Sequence, residues 1–295
     1  MATSTVDRHT EELDTMQAMN RGVVALTDFG PDAEAALLRA ALLARQLQAP
    51  LSLIHLAGSG PPDVAERLPR CAAMLARRHR QPVSAQGSMS EPELRQSLAS
   101  IASLLVLGEA LSTRRFGWAR PTLAQRLARR APCPLLVVRQ PGGEDYRRVL
   151  VALAGQPEPA AGLLQAAAAL APEAELELFH AMDTRHEALL RAAEASPQSL
   201  RRYRTARDHE ARQLLLRVSD SLQARRNRLM HTLGRGDPVR QILVQQQYGH
   251  ADLVVVGQRR QAWWAAWLQP ASAVSLLAEL ECDLLIWPGG EAQVG

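Results

Sequence analysis

The segment Val23-Val24-Ala25-Leu26-Thr27-Asp28 is a short apolar run that ends in polar residues. Runs with no polar alternation read as strands buried on both faces, the kind found in parallel sheets. Apolar runs recur at 51–56, 103–108 and 135–138, then at 149–153, 252–257 and 284–287, and 175–180 is a further strand, ending in His180 as 51–56 carries His55. Weaker strands are predicted at 82–85 and 228–233. Between the strands, apolar residues return at helical spacing, as with Ala36, Leu37, Ala40, Leu43, Ala44 and Leu47, so a helix is predicted over 33–47. Asp32 stands where its N-cap would be. Further helices are predicted over 64–80, 91–100, 122–130, 160–170 and 239–247. Regular strand–helix alternation implies an α/β fold with parallel sheets and right-handed crossovers.

The alternation runs twice. Leu104-Leu105-Val106-Leu107-Gly108 and Leu253-Val254-Val255-Val256-Gly257 are the clearest pair, and each glycine has a proline 13 residues later, Pro121 and Pro270. A cysteine follows 25 residues after each glycine, Cys133 and Cys282, each directly before another apolar run. Four landmarks in one register mark an internal duplication. Two tandem domains are expected: 21–141 after a flexible lead-in over 1–20, and 146–290 after the Pro141-Gly142-Gly143 linker. His55 stands 53 residues before Gly108, whereas its counterpart His180 stands 77 before Gly257. The second copy therefore carries roughly two dozen extra residues. They fall in an Arg-rich stretch, about 187–229, that reads as one long amphipathic helix or a helical hairpin.

Composition narrows the chemistry. The 295 residues suffice for two cores, and with 4% aromatics those cores are built from Leu, Val and Ala. All 34 basic residues are arginine, so Schiff-base and phosphate-loop lysine chemistry are excluded. The net charge of +4 is spread along the chain, which disfavours nucleic acid as a partner. The 3 cysteines form no Cys-x-x-Cys pair, which argues for a reducing compartment and against zinc. No signal peptide and no membrane span are read, so a soluble cytoplasmic protein is expected.

In a doubly wound sheet, ligands bind beyond the carboxyl ends of the strands. In the first copy this is where Asp28, Gly108 and Thr122 are expected. Thr122 also begins a predicted helix, whose N–H groups favour a phosphate. Catalysis has no support: there is no Gly-x-Ser-x-Gly elbow, and the histidines lack metal-ligand spacing. His55 and His180 lie inside apolar strands and read as hydrogen-bonded structural residues.

The residues 23–30, the strand ending at His55, the two glycine-terminated strands, Ala131-Pro132-Cys133-Pro134-Leu135-Leu136-Val137-Val138-Arg139 and Gly236-Asp237-Pro238 together resemble the universal stress protein family. The resemblance covers about 21–290. It implies two Rossmann-like domains, each a five-stranded parallel sheet flanked by helices, paired through their last strands as a pseudo-two-fold unit. In ATP-binding members, an Asp after the first strand and a Gly-x2-Gly-x9-Gly-Ser/Thr loop hold the nucleotide. Carried over, the first copy offers Thr27, Asp28, Leu56, Gly108 and Thr122, with Leu111 and Pro121 in place of two glycines. The second offers Ala154, Gly257, Arg260, Pro270 and Ser272, so only its first glycine survives. Lost glycines close a phosphate cradle, because a side chain or a fixed φ blocks the backbone's approach.

The second copy instead places Trp263, Trp264 and Trp267 in that loop, as a plug over the vacated site or as an interaction surface. Three functions follow. The first is a non-enzymatic stress-response protein with degenerate nucleotide sites, acting through an unidentified protein partner or a homodimer and needing no cofactor. The second is a nucleotide sensor or slow ATPase that takes ATP in the first domain only. The third is a carrier of a small apolar ligand.

Overall fold

The computed structural model of the chain describes residues 21–109, 121–130, 132–153, 158–221, 227–258 and 272–288. The first copy supplies β1 (Val23–Thr27), α1 (Ala33–Gln46), β2 (Leu51–Leu56), α2 (Val64–His79), β3 (Val83–Met89), α3 (Glu91–Ile101), β4 (Leu104–Gly108), α4 (Leu123–Arg130) and β5 (Leu135–Val138). The second supplies β6 (Arg148–Leu153), α5 (Glu158–Leu170), β7 (Glu175–Met182), α6 (Arg185–Ala192), α7 (Pro197–Asp220), β8 (Leu229–Arg235), α8 (Pro238–Gly249), β9 (Leu253–Gln258), α9 (Ser272–Glu279) and β10 (Asp283–Pro288). The order is that of an α/β, Rossmann-like fold in which β1 to β5 are repeated as β6 to β10.

The described residues divide into two compact units. The first runs through Asp145 and takes back Glu281–Pro288; the second begins at Tyr146. In the first unit β3, β2, β1, β4 and β5 lie side by side and parallel. The three central strands β1, β4 and β5 are buried along their whole length, which is why they are continuous Val/Leu runs rather than alternating ones. On β5 the sheet continues with an antiparallel neighbour, β10, with Leu285 opposite Leu136. By sequence Glu281–Pro288 closes the second repeat; by its contacts it belongs to the first unit.

The α1 helix packs on β1 and β4 through Ala36, Leu37, Ala40, Leu43 and Ala44. Asp32 occupies its N-cap position, but its side chain makes no capping hydrogen bond. The outer strand β3 is polar, exposed and longer than its apolar content suggests. Its register on β2 shifts between Leu53 and His55, leaving an extra residue at Gly87, where φ is +86°.

In the second unit β9, β6, β7 and β8 are parallel neighbours in that order. The Arg-rich insertion is two helices in contact, α6 and α7, rather than one. Ser196 caps α7 by accepting a hydrogen bond from the Ser199 N–H at 3.1 Å. The buried face of α7 is Ala211, Leu214, Leu215 and Val218, and it lies against α5, β7 and β8. Asp237 caps α8 through the Arg240 N–H at 3.0 Å, and Pro238 takes the position where no N–H is needed. No described helix is long and apolar enough to cross a membrane.

Candidate functional site

The strand ends of the first unit bring several of the expected residues together. Thr27 ends β1, fully buried, and its hydroxyl oxygen accepts the Phe29 N–H at 3.0 Å. The buried Asp28 carboxylate accepts the Gly30 N–H at 2.8 Å, an Asx turn that closes the chain back on itself. Between them Phe29 adopts φ +55°, a left-handed conformation that bulky residues seldom take. Thr27 lies opposite His55 in the β1–β2 register, so Leu56 follows directly at the end of β2. Its carbonyl accepts the Ser59 hydroxyl at 2.7 Å.

The unusual Phe29 backbone is explained by where the ring goes. It stacks against the His55 imidazole with centroids 6.0 Å apart and planes 21° from parallel. The Arg67 guanidinium lies 5.3 Å from the same ring centroid, a cation–π contact. His55 is buried, and its Nδ1 shares a hydrogen bond with the Ser88 hydroxyl at 2.9 Å. Its Nε2 is buried with no hydrogen-bond partner. Both His55 and the Asp28 backbone crowd Gly60, where φ is +79°: an added Cβ would lie 2.5 Å from the Asp28 carbonyl oxygen and 3.0 Å from Nε2.

Gly108 and Thr122 have internal partners as well. A Cβ at Gly108 would stand 2.9 Å from the Asp32 carbonyl oxygen, so this glycine is required by the close passage of the chain leading into α1. Thr122 forms a reciprocal capping box with Gln125: Thr122 Oγ1 accepts the Gln125 N–H at 3.1 Å, and Gln125 Oε1 accepts the Thr122 N–H at 3.0 Å. Of the family-derived positions, Thr27, Asp28 and Leu56 therefore cluster, Gly108 abuts Asp32, and Thr122 closes on Gln125. Phe29 and Arg67 were not singled out by sequence. The one available signal was a large aromatic directly after Asp28, in a chain with 3 phenylalanines.

The second unit is built differently at its strand ends. Gly257 meets a side chain rather than backbone: a Cβ there would be 3.1 Å from Leu163 Cδ1. His180 Nδ1 lies 3.0 Å from the Leu153 carbonyl, and burial with the nearby Arg207 charge holds the imidazole below its ordinary pKa. The insertion helices are tied together by charge. Glu187 on α6 accepts from Arg204 on α7 and from Arg191 at 2.7 Å, and these bonds lower its pKa. Asp208 on α7 takes the Arg235 guanidinium at 2.8 Å. Ala154, Arg260, Trp263, Trp264 and Trp267 lie outside the described residues, and of Ser272 only its place at the start of α9 is described. Among the described residues no cluster of His, Cys, Asp and Glu could hold a metal ion.

Residues 145–288 match the model of the universal stress protein family. Over these residues the chain is similar to that family. Among solved structures, a functionally unknown protein from Pseudomonas aeruginosa PAO1 is 22% identical with a TM-score of 0.66, covering 93% of this chain and 94% of that one. A universal stress protein from Archaeoglobus fulgidus DSM 4304 is 12% identical with a TM-score of 0.58, covering 92% of this chain and 99% of its own. At these identities the likeness carries the fold. No curated protein matches the chain.

Proposed function

We propose that the chain is a non-enzymatic stress-response protein that acts through its surfaces, with the strand-end crevice of the first unit closed by its own residues. The observation that carries this reading is Phe29. Its ring stacks on His55 and takes a cation–π contact from Arg67, and Asp28 and Thr27 are turned onto the neighbouring backbone. The Thr122–Gln125 box supports it, because it satisfies internally an N–H that a nucleotide site would keep for phosphate, and the close passage of Asp32 narrows the space at Gly108. The departures at Leu111, Pro121 and Arg260 from the family's glycine loop point the same way. The second copy, with Ala154 in place of the aspartate, is the weaker nucleotide candidate of the two.

A second reading has one observation in its favour. The buried Nε2 of His55 has no hydrogen-bond partner, which suits a small polar ligand at this end of the sheet, ATP in the first domain being the candidate. A thermal-shift titration with ATP and Mg²⁺ separates the two. A ligand at 100 times its dissociation constant adds about 2.7 kcal/mol to the folded state. No shift is expected in the wild type. A rise in melting temperature that disappears in Asp28→Ala would replace the leading reading with the nucleotide sensor.

A further inference from the structure

We propose that the outer edge of β8 is a self-association surface, on which a second copy of the chain pairs its own β8 in an antiparallel, twofold arrangement. Among the described residues no strand pairs with the outer side of β8. Leu176 N–H donates to the Arg228 carbonyl at 2.8 Å, and the seven β7–β8 pairs from Leu176↔Leu229 to Met182↔Arg235 run without a break. Ladder alternation then turns the backbone groups of Met230, Thr232 and Gly234 toward β7. Those of Leu229, His231, Leu233 and Arg235 point away from it, a row of donors and acceptors for another strand.

Beside His231 and Arg235, exposed apolar side chains border this edge. Thr232 bonds Glu177, which also takes Gln245 of α8, whereas His231 bonds Ser219 of α7. The two helices therefore lie on opposite faces, and Met230 shares the α8 face with Thr232. Gln241 and Gln245 form the flank of α8 nearest β8, and Val244 and Tyr248 continue that flank outward. On the other face Leu216 lies next to the β8-facing side of α7. The exposures are Met230 57%, Val244 52%, Tyr248 82% and Leu216 56%, four of the six large exposed hydrophobics among the described residues. Four such residues bordering one strand form a patch of the kind that marks an interface. The outer strand of the first unit, β3, is by contrast protected: it is polar, and the extra residue at Gly87 breaks its line.

The sequence of β8 fits itself. In an antiparallel register centred on Thr232, each Met230 faces a Gly234, beside which the Phe179 ring and Gln241 already lie, so Met230 packs over them. His231 faces Leu233, Leu229 faces Arg235, and no two like charges are opposed. The exposed Arg228, which pairs with Glu175 at 3.2 Å within the chain, then comes opposite Gly236 of the second copy, next to Asp237. A pairing in which every contact occurs twice is what a closed twofold dimer requires.

The test is the solution mass of the full chain by light scattering, with Met230→Arg and Tyr248→Arg, both at positions exposed enough to leave the fold intact by far-UV circular dichroism. The wild type is expected at twice 32.2 kDa. Each variant is expected to raise the dimer dissociation constant on the order of tenfold or more, because a guanidinium replaces apolar contact on both sides of the axis. A wild type that stays monomeric at the highest concentration reached overturns the proposal. So does a dimer that both folded variants retain unchanged, since self-association would then use another surface.

Discussion

Asp283, the first residue of β10, lies 3.4 Å from the Arg39 guanidinium of α1, with the two side chains 0% and 4% exposed. The same carboxylate accepts the backbone N–H groups of Arg139 and Gln140 at 2.7 and 2.8 Å, capping the end of β5. Arg39 in turn donates to the carbonyls of Glu144 and Pro141. One buried acid thus ties together a helix, a strand end and the linker of the first unit. Removing one member of a buried pair leaves a charge with no counter-charge, at a cost of about 3–5 kcal/mol. Asp283→Ala is expected to lose that much in urea unfolding, and Arg39→Met combined with Asp283→Leu much less. Equal losses in the single and double variants would show that packing, not charge, sets the cost.

The two glycines of the repeat should respond differently to one methyl group. Gly108→Ala presses a Cβ against the Asp32 backbone at 2.9 Å, whereas Gly257→Ala meets only the movable end of Leu163 at 3.1 Å. Overpacking against backbone costs about 1–3 kcal/mol. Gly108→Ala should melt well below wild type, with Gly257→Ala between them. The reverse order would show that the Asp32 passage is soft.

Thr122 should behave as a cap. Losing an N-cap hydroxyl costs about 1 kcal/mol. Thr122→Ala is expected to lose that much, and Thr122→Ser to recover most of it, measured by denaturant unfolding. A Ser variant no better than Ala would assign Thr122 another role.

His180 predicts an acid-side loss of stability. Burial lowers its pKa from the ordinary 6.5 in the folded state, so below that value the unfolded chain binds the proton more readily than the folded one. Stability should be constant above about pH 6.5 and fall as the pH drops toward the folded pKa. In His180→Gln this component of the pH dependence should be gone. An unchanged profile would place the acid sensitivity elsewhere.

The cysteines should separate by burial. Desolvation pushes the Cys133 thiol up to about 12, and Cys282 is likewise buried, while Cys71 on α2 is half-buried. An alkylating reagent on the native protein should label Cys71 alone, slowly because its own pKa is raised, and the other two only after denaturation. Labelling of Cys133 in the native state would mean that β5 opens readily.

Burial explains which features could be read in sequence. β5 is found at its expected bounds, because a strand buried on both faces must be a continuous apolar run, and β2 is found at its bounds although Ser52 and His55 interrupt it. β3 was underestimated, since an exposed edge strand such as Ser84-Ala85-Gln86-Gly87-Ser88 carries no apolar signature. The insertion left two options open, and Ser196-Pro197 is the local chemistry that breaks it into α6 and α7. At the candidate site, Asp28 was visible as a polar residue ending an apolar run. The Phe29–His55–Arg67 stack was not, because it depends on three elements meeting in space. Asp283 was hidden for the same reason: a lone acid before a strand reads as a cap, and its partner Arg39 sits inside an ordinary helix.

Because β10 is a strand of the first unit, that unit's sheet is written in two instalments. Arg139 leaves the ribosome 144 positions ahead of the carboxylate that caps it. At about 5–20 residues per second, that is an interval of about 7–29 s. Until Asp283 arrives, the outer side of β5, made of Leu135, Leu136, Val137 and Val138, lacks the β10 strand that pairs with it in the finished chain.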